Sequence, residues 1–233
     1  MDRKRSFLGV AALAGVCGIA GAGSLEPPPG PAAPTMKPLS EVEARIPIHQ
    51  SDLPLTITVD GSYYLVENVS ANQNGADMIT VLANYVSIDL NGFTVNGTGP
   101  GAVASECIQI ESDVRTFTLT HGTVRGCGGY GVYSNFPFGL TVTVDGVHVN
   151  QNGQGGMIFT NGTYGVISRS VAKSNGTTGI FLSEGTLTEC AAFSNGATGL
   201  QLQRGIISGC TARLNGLNAV ILSGGSIVNS YVP

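Results

Sequence analysis

Carboxylates come first, because clustered acids cleave glycosidic bonds. The candidates are Asp89, Asp113, Asp145, Glu106, Glu111, Glu184 and Glu189. An inverting hydrolase needs its two carboxyl groups about 6.5–9.5 Å apart, and a retaining one about 5 Å. His49, His121 and His148 are the only imidazoles. Two imidazoles without a nearby third ligand make a weak metal site, so no metal and no cofactor is expected. Cys107, Cys127, Cys190 and Cys210 could pack as small apolar residues or close disulfides. Which of these groups meet depends on the elements that carry them.

Those elements are set by a repeat. Gly165, Gly185, Gly205 and Gly225 are 20 residues apart, and Ile167, Leu187, Ile207 and Ile227 keep the same step. So do Asn175, Asn195 and Asn215, each followed by Gly. Ile180, Leu200 and Val220 follow, then Leu182, Leu202 and Leu222. Within one copy the apolar residues alternate over stretches of three to five residues, a strand period rather than a helical one. Helical repeats usually run past about 30 residues. Twenty residues with three short strands make one coil of a parallel β-helix. Each coil lies about 4.8 Å above the last, so matching positions stack into ladders. The Asn residues fall at a turn, where Asn tolerates the left-handed conformation and the following Gly supplies positive φ where it is needed.

Upstream coils are looser. Asn152-Gly153, Gly156, Met157 and Phe159 match Asn175-Gly176, Gly179, Ile180 and Leu182 at a step of 23, with the three extra residues near Asn161-Gly162-Thr163. Leu90, Thr94, Val95 and Gly97 match Leu119, Thr123, Val124 and Gly126 at a step of 29. About eight coils fit between Leu55 and Pro233. In this register Asp89 aligns with Thr118 and Thr143, and Asp145 sits two residues further along. That places the two Asp backbones about 12 Å apart, too far for a catalytic pair. His121 and His148 lie on successive coils, offset by about two residues. Arg169 faces Glu189 and Glu184 faces Arg204, as exposed cross-coil ion pairs worth under about 1 kcal/mol each. Cys190 and Cys210 stack in a ladder with Ser170 and Ser230. Cys107–Cys127 and Cys190–Cys210 are two conceivable bridges, and four free thiols under denaturation would exclude both.

Three segments carry a resemblance: Gly61-Ser62-Tyr63-Tyr64-Leu65, Val86-Ser87-Ile88-Asp89-Leu90-Asn91-Gly92-Phe93, and the N-G-x-x-G-[ILV]-x-L coils. Over residues 46–233 the chain resembles the right-handed parallel β-helix repeat family of the pectin-lyase-like superfamily, in its secreted bacterial form. The resemblance implies an all-β, single-stranded right-handed solenoid. It does not choose an activity, because the superfamily holds lyases, hydrolases, epimerases, tailspikes, adhesins and a copper-enzyme maturation factor. The hydrolase sets N-T-D, D-D and H-G-R are absent, and Thr120-His121-Gly122 is only a fragment. Lyase chemistry of the family's kind needs a basic residue, for which Arg115, Arg125, Arg169, Lys173, Arg204 and Arg213 are available. Metal delivery would need a His/Met/Cys cluster that the sequence lacks.

The outward positions of the G-I-x-L strand read Gln109, Tyr133, Ile158, Phe181, Gln201 and Ile221 along the axis. In carbohydrate-active relatives such a long face holds a polysaccharide. Here Tyr133 and Phe181 would stack on sugar rings while Gln109 and Gln201 bond hydroxyls. The other reading is that a loop or the N-terminal segment covers the stripe. The expected function is a secreted structural, surface or adhesive module, binding polysaccharide or cell-surface glycan along its flank. The alternative is a polysaccharide lyase or glycoside hydrolase, which needs three or more polar side chains converging in a groove.

Composition bounds the partners. Only 11% of the 233 residues are charged, the formal charge is −4, and Trp is absent. Such a chain offers no broad basic surface for nucleic acid. Arg3, Lys4 and Arg5 precede an apolar run from Phe7 to Ala20 and an A-x-A pattern at Ala20-Gly21-Ala22. Residues 1–22 therefore read as a signal peptide cut after Ala22. Lys4-Arg5-Ser6-Phe7-Leu8 resembles a twin-arginine export motif with Lys for the first Arg. Cleavage removes Asp2 and three cations, which takes the charge from −4 to −6. The product is expected outside the cytoplasm, secreted, periplasmic or at the cell surface, with no membrane segment left. Residues 23–54 read as a Pro-rich linker and lead-in, with a short helical turn at Ser40–Ala44, ahead of a solenoid over 55–233. The final coil stops at Val232-Pro233 without a polar cap, so end-to-end self-association is expected.

Overall fold

A computed structural model describes residues 44–71, 75–101, 105–135 and 139–232 of the chain. The proposed signal peptide, most of the linker and most of the Ser40–Ala44 turn lie outside the described residues. The described chain winds as an all-β, right-handed parallel β-helix of roughly seven coils. Each coil has three straight legs. The first leg stacks Ile46–Ile48, Gly61–Leu65 and Tyr85–Asp89 under the opening halves of Thr116–Arg125 and Thr141–Asn150. It continues through the closing halves of Met157–Ser168, Ile180–Thr188, Thr198–Ser208 and Asn218–Val228. The second leg runs from Val69–Ser70 and Thr94–Asn96 to Val171–Lys173, Ala191–Phe193 and Thr211–Arg213. The third leg starts at Leu55–Ile57, Ile79–Val81, Ile108–Ile110 and Val132–Ser134, then uses the opening halves of the last four long strands. Neighbouring legs often run on as one strand, so the three straight pieces are not always separate strands. Ile46–Ile48 pairs with Tyr63–Leu65, so the lead-in already contributes a rung.

The twenty-residue step is the register of the terminal coils: Leu182 opposes Leu202, and Leu202 opposes Leu222. The step of 23 also holds, with the shift falling between Phe159 and Tyr164 at the expected insertion. Inward ladders form the core. Ile88, Leu119, Val144, Ile167, Leu187 and Ile207 are fully buried on the first leg, and Ile108, Val132, Met157, Ile180 and Leu200 on the third. The second leg tapers from Val69, Val95, Val124 and Val149 to Ala172, Ala192 and Ala212. Smaller side chains fill the narrower interior of the shorter coils.

The corners correct two expectations. Thr94 opposes Thr123 at the step of 29, but Ile88, not Leu90, opposes Leu119. The lower coil turns through Leu90-Asn91-Gly92-Phe93 where the upper uses only His121-Gly122, so the offset differs on the two sides of the corner. At the Asn turns the positive φ falls on Ser174, Ser194 and Leu214, one residue before each Asn. The Asn152, Asn175 and Asn195 side chains are buried, that of Asn215 is half-buried, and the four bond along the axis. Asn152 Nδ2 donates to Asn175 Oδ1 at 2.9 Å, Asn175 to Asn195 at 2.9 Å and Asn195 to Asn215 at 3.0 Å. The glycines after them have ordinary φ; their role is close approach, since a Cβ on Gly176, Gly196 or Gly216 would collide with the backbone oxygen of the coil before.

Candidate glycan-binding face

The third leg presents the stripe expected from the sequence. Thr56, Thr80, Gln109, Tyr133, Ile158, Phe181, Gln201 and Ile221 oppose one another in unbroken register. Gln109, Tyr133, Phe181 and Gln201 therefore share one column. Gln109 and Ile158 are nearly covered, each 8% exposed, while Tyr133, Phe181 and Gln201 are partly open.

A second column, which the sequence reading missed, flanks it. The corner ahead of the third leg stacks Asp77, Glu106 and Tyr130 on successive coils: the Met78 amide donates to the Glu106 carbonyl and the Cys107 amide to that of Tyr130. Tyr130 lies on Tyr133, with ring centroids 4.4 Å apart and planes 15° from parallel. This pair makes an aromatic platform at the middle of the face. Below it the Glu106 amide donates to Asp77 Oδ1 at 2.8 Å, and the two carboxyl groups share a hydrogen bond. Burial, then that bond and the Asp77 charge, raise the Glu106 carboxyl to about 7. Near neutral pH it can thus both donate and accept. Burial raises the Tyr130 and Tyr133 hydroxyls as well, with the Glu106 charge adding to both. The signal was present as a spacing of three: Glu106 precedes Gln109, and Tyr130 precedes Tyr133, by one turn of the corner.

The other acids are placed differently from the expectation. Asp89 and Asp145 both oppose Thr120, so they share a column two coils apart, about 9.6 Å at the backbone. Both carboxylates are engaged. Asp89 takes Arg45 at 3.1 Å and faces His121 Nδ1 at 3.4 Å. Asp145 accepts from the Ser168 hydroxyl at 2.7 Å and pairs with Arg169. The Ser168 bond and Arg169 hold the Asp145 carboxyl below the usual range, the wrong direction for a general acid. Arg169 thus pairs with Asp145, on the coil before, and not with Glu189, on the coil after. Glu184 and Arg204 pair as expected. His148 opposes Thr123, two residues past His121, so the imidazoles are offset. Among the described residues no group of three or more His, Cys, Asp or Glu could hold a metal ion.

Cys107 and Cys127 form a disulfide with Cα atoms 5.6 Å apart. Cys190 and Cys210 are buried free thiols. They belong to a Ser/Cys ladder, in which the Cys190 amide donates to Cys210 Sγ and the Cys210 amide to Ser230 Oγ.

No family model matches the chain, and neither does any curated protein. Two solved structures share the architecture. The A-module of the mannuronan C-5 epimerase AlgE4 from Azotobacter vinelandii aligns with a TM-score of 0.51 at 20% identity, over 69% of this chain and 50% of that one. The Dettilon tailspike protein (gp208) aligns with a TM-score of 0.52 at 13% identity, over 68% of this chain and 41% of that one. The chain spans about half the length of the epimerase module and less of the tailspike, and at these identities the likeness is one of fold.

Proposed function

We propose that this chain is a secreted, non-catalytic β-helix module that binds glycan along the third-leg face. The observation that carries the reading is the Tyr130–Tyr133 platform in column with Gln109, Phe181 and Gln201. Aromatic faces pack against the C–H faces of sugar rings, and polar neighbours bond the hydroxyls between them. The rigid spacing of the coils sets these groups out as a row, which suits a polymer. The fold's occurrence in a mannuronan epimerase and a tailspike supports a carbohydrate-related or adhesive role. Glycan-array binding by the mature protein tests the proposal. The double variant Tyr133→Ala, Phe181→Ala is expected to lose binding, and unchanged binding overturns it.

A carbohydrate-active enzyme is the second reading, favoured by one observation: Asp89 and Asp145 flank Thr120 in one column, with His121 beside them. Against it, both carboxylates are already held by Arg45 and Arg169. Turnover of uronic-acid polymers that Asp89→Asn or Asp145→Asn abolishes would establish the enzyme.

A further inference from the structure

The second leg carries a different kind of row. Its outward edge reads Asn96, Arg125, Asn150, Lys173, Phe193 and Arg213 on successive coils. Cations therefore recur every second coil, about 9.6 Å apart. All three are exposed. Arg45, Arg169 and Arg204 are each taken by a carboxylate, whereas Arg125, Lys173 and Arg213 have no ion-pair partner among the described residues. Arg115, on another edge, is the remaining described cation outside an ion pair. No Asp or Glu occurs in the second-leg segment of any strand. In a chain with so few charges, three unpaired cations in single file are a built feature rather than a solvated scatter.

Two shallow clefts lie against the same row. One, of about 570 Å³, is lined by Asn96, Thr98, Pro100, Arg125, Gln151 and Ser174. The other, of about 340 Å³, is lined by Asn150, Gln151, Lys173 and Ser174. Sharing Gln151 and Ser174, they form one trough beside Arg125 and Lys173. Arg125 is steered into it by a 3.0 Å bond to Gln151 Oε1, and Arg213 lies over the Phe193 ring at 5.8 Å. The trough thus offers Arg125 and Lys173 with amide and hydroxyl groups between them, and Arg213 continues the row two coils beyond Lys173.

We propose that the second-leg row is a binding site for a linear acidic polysaccharide, which presents an anionic group to it about once every two sugars. Charge density selects this ligand over other polyanions. Duplex nucleic acid carries one charge per about 1.7 Å of axis and is held by dense basic patches. A lipid surface is held by clusters of about four or more Lys and Arg with several apolar side chains that enter the headgroup layer, whereas this row has three cations at wide intervals and one half-buried apolar side chain, Phe193. An acidic glycan alternates sparse anions with hydroxyls, which matches cations separated by Asn, Gln, Ser and Thr. Each exposed cation contributes little alone. Three on one rigid scaffold act together once the polymer is engaged, so a small anion gains nothing comparable. The site is separate from the third-leg face and does not depend on it.

The mature protein would be titrated with polygalacturonate and with hyaluronan, which carries one carboxylate per disaccharide, at low salt. Dextran, duplex DNA and phosphatidylglycerol vesicles serve as controls. At least one acidic glycan is expected to bind more tightly than any control and to weaken steeply with added salt. The triple variant Arg125→Gln, Lys173→Gln, Arg213→Gln is expected to lose at least about tenfold in affinity. The Tyr133→Ala, Phe181→Ala variant should bind the acidic glycan unchanged, which separates this site from the aromatic face. The single Lys173→Gln, which removes one exposed ammonium, should lose about threefold and covers the case of a misfolded triple. Absence of binding to both acidic glycans, an unchanged triple variant, or tighter binding of DNA or vesicles would each overturn the proposal.

Discussion

Glu106 is the described carboxyl whose ionisation is moved furthest by its surroundings. Its ordinary value of 4.5 rises to about 7 because it is partly buried and bonded to a second carboxyl, Asp77. Between those values the folded chain holds a proton that the unfolded chain has released. Stability therefore falls as pH rises from about 4.5 through about 7, and the full penalty is present above that. Glu106→Gln keeps the shape and a donor but removes the titration. Denaturant melts at pH 5 and pH 8 should show wild type weaker at pH 8 and the variant nearly level. A variant as pH-dependent as wild type would place the titration elsewhere. Asp145 has the opposite sign: the Ser168 hydroxyl and Arg169 favour its charged form, so its contribution is lost as pH falls through its lowered value.

At the scale of the coil, the corners decide the stacking distance. Gly196 sits so close to the Gly176 carbonyl that a methyl group has no room, while Ser194 carries the positive φ of 54°. Gly196→Ala should destabilise by about 1–3 kcal/mol through overpacking against backbone that cannot move. Ser194→Gly should stay within about 1 kcal/mol of wild type, because relief of the left-handed strain offsets the added chain entropy. The reverse ranking, read from denaturant midpoints, would mean that conformation and not clearance sets the glycine. This corner also shows what a sequence can reveal about such a fold. Identical positions at a fixed step disclose the ladders, so the core, the twenty-residue register and the outward column through Gln109, Tyr133, Phe181 and Gln201 were legible. Corners differ in length from coil to coil, and a two-residue difference at Leu90–Phe93 was enough to misplace Asp89 against Asp145. Glu106 stood among the candidate carboxylates, but its column with Asp77 and Tyr130 escaped notice for a related reason. They lie in the corner rather than in a strand, and their stacking appears only once the loop between the legs has a path.

At the scale of the whole molecule, the coils turn single residues into rows. Both candidate faces run along legs of the same β-helix, so their side chains keep the coil spacing of about 4.8 Å. From Tyr133 to Phe181 is two coils, and from Phe181 to Gln201 one more. A ligand must therefore span about 14 Å to meet all three. A glycan long enough to do so makes its later contacts within one molecule, at high effective concentration. Affinity for the third-leg face should accordingly rise with glycan length up to the span of the row and then level off. Calorimetric titration with oligosaccharides of increasing length checks this. A disaccharide that already reaches the full affinity would mean that the row does not act as one site.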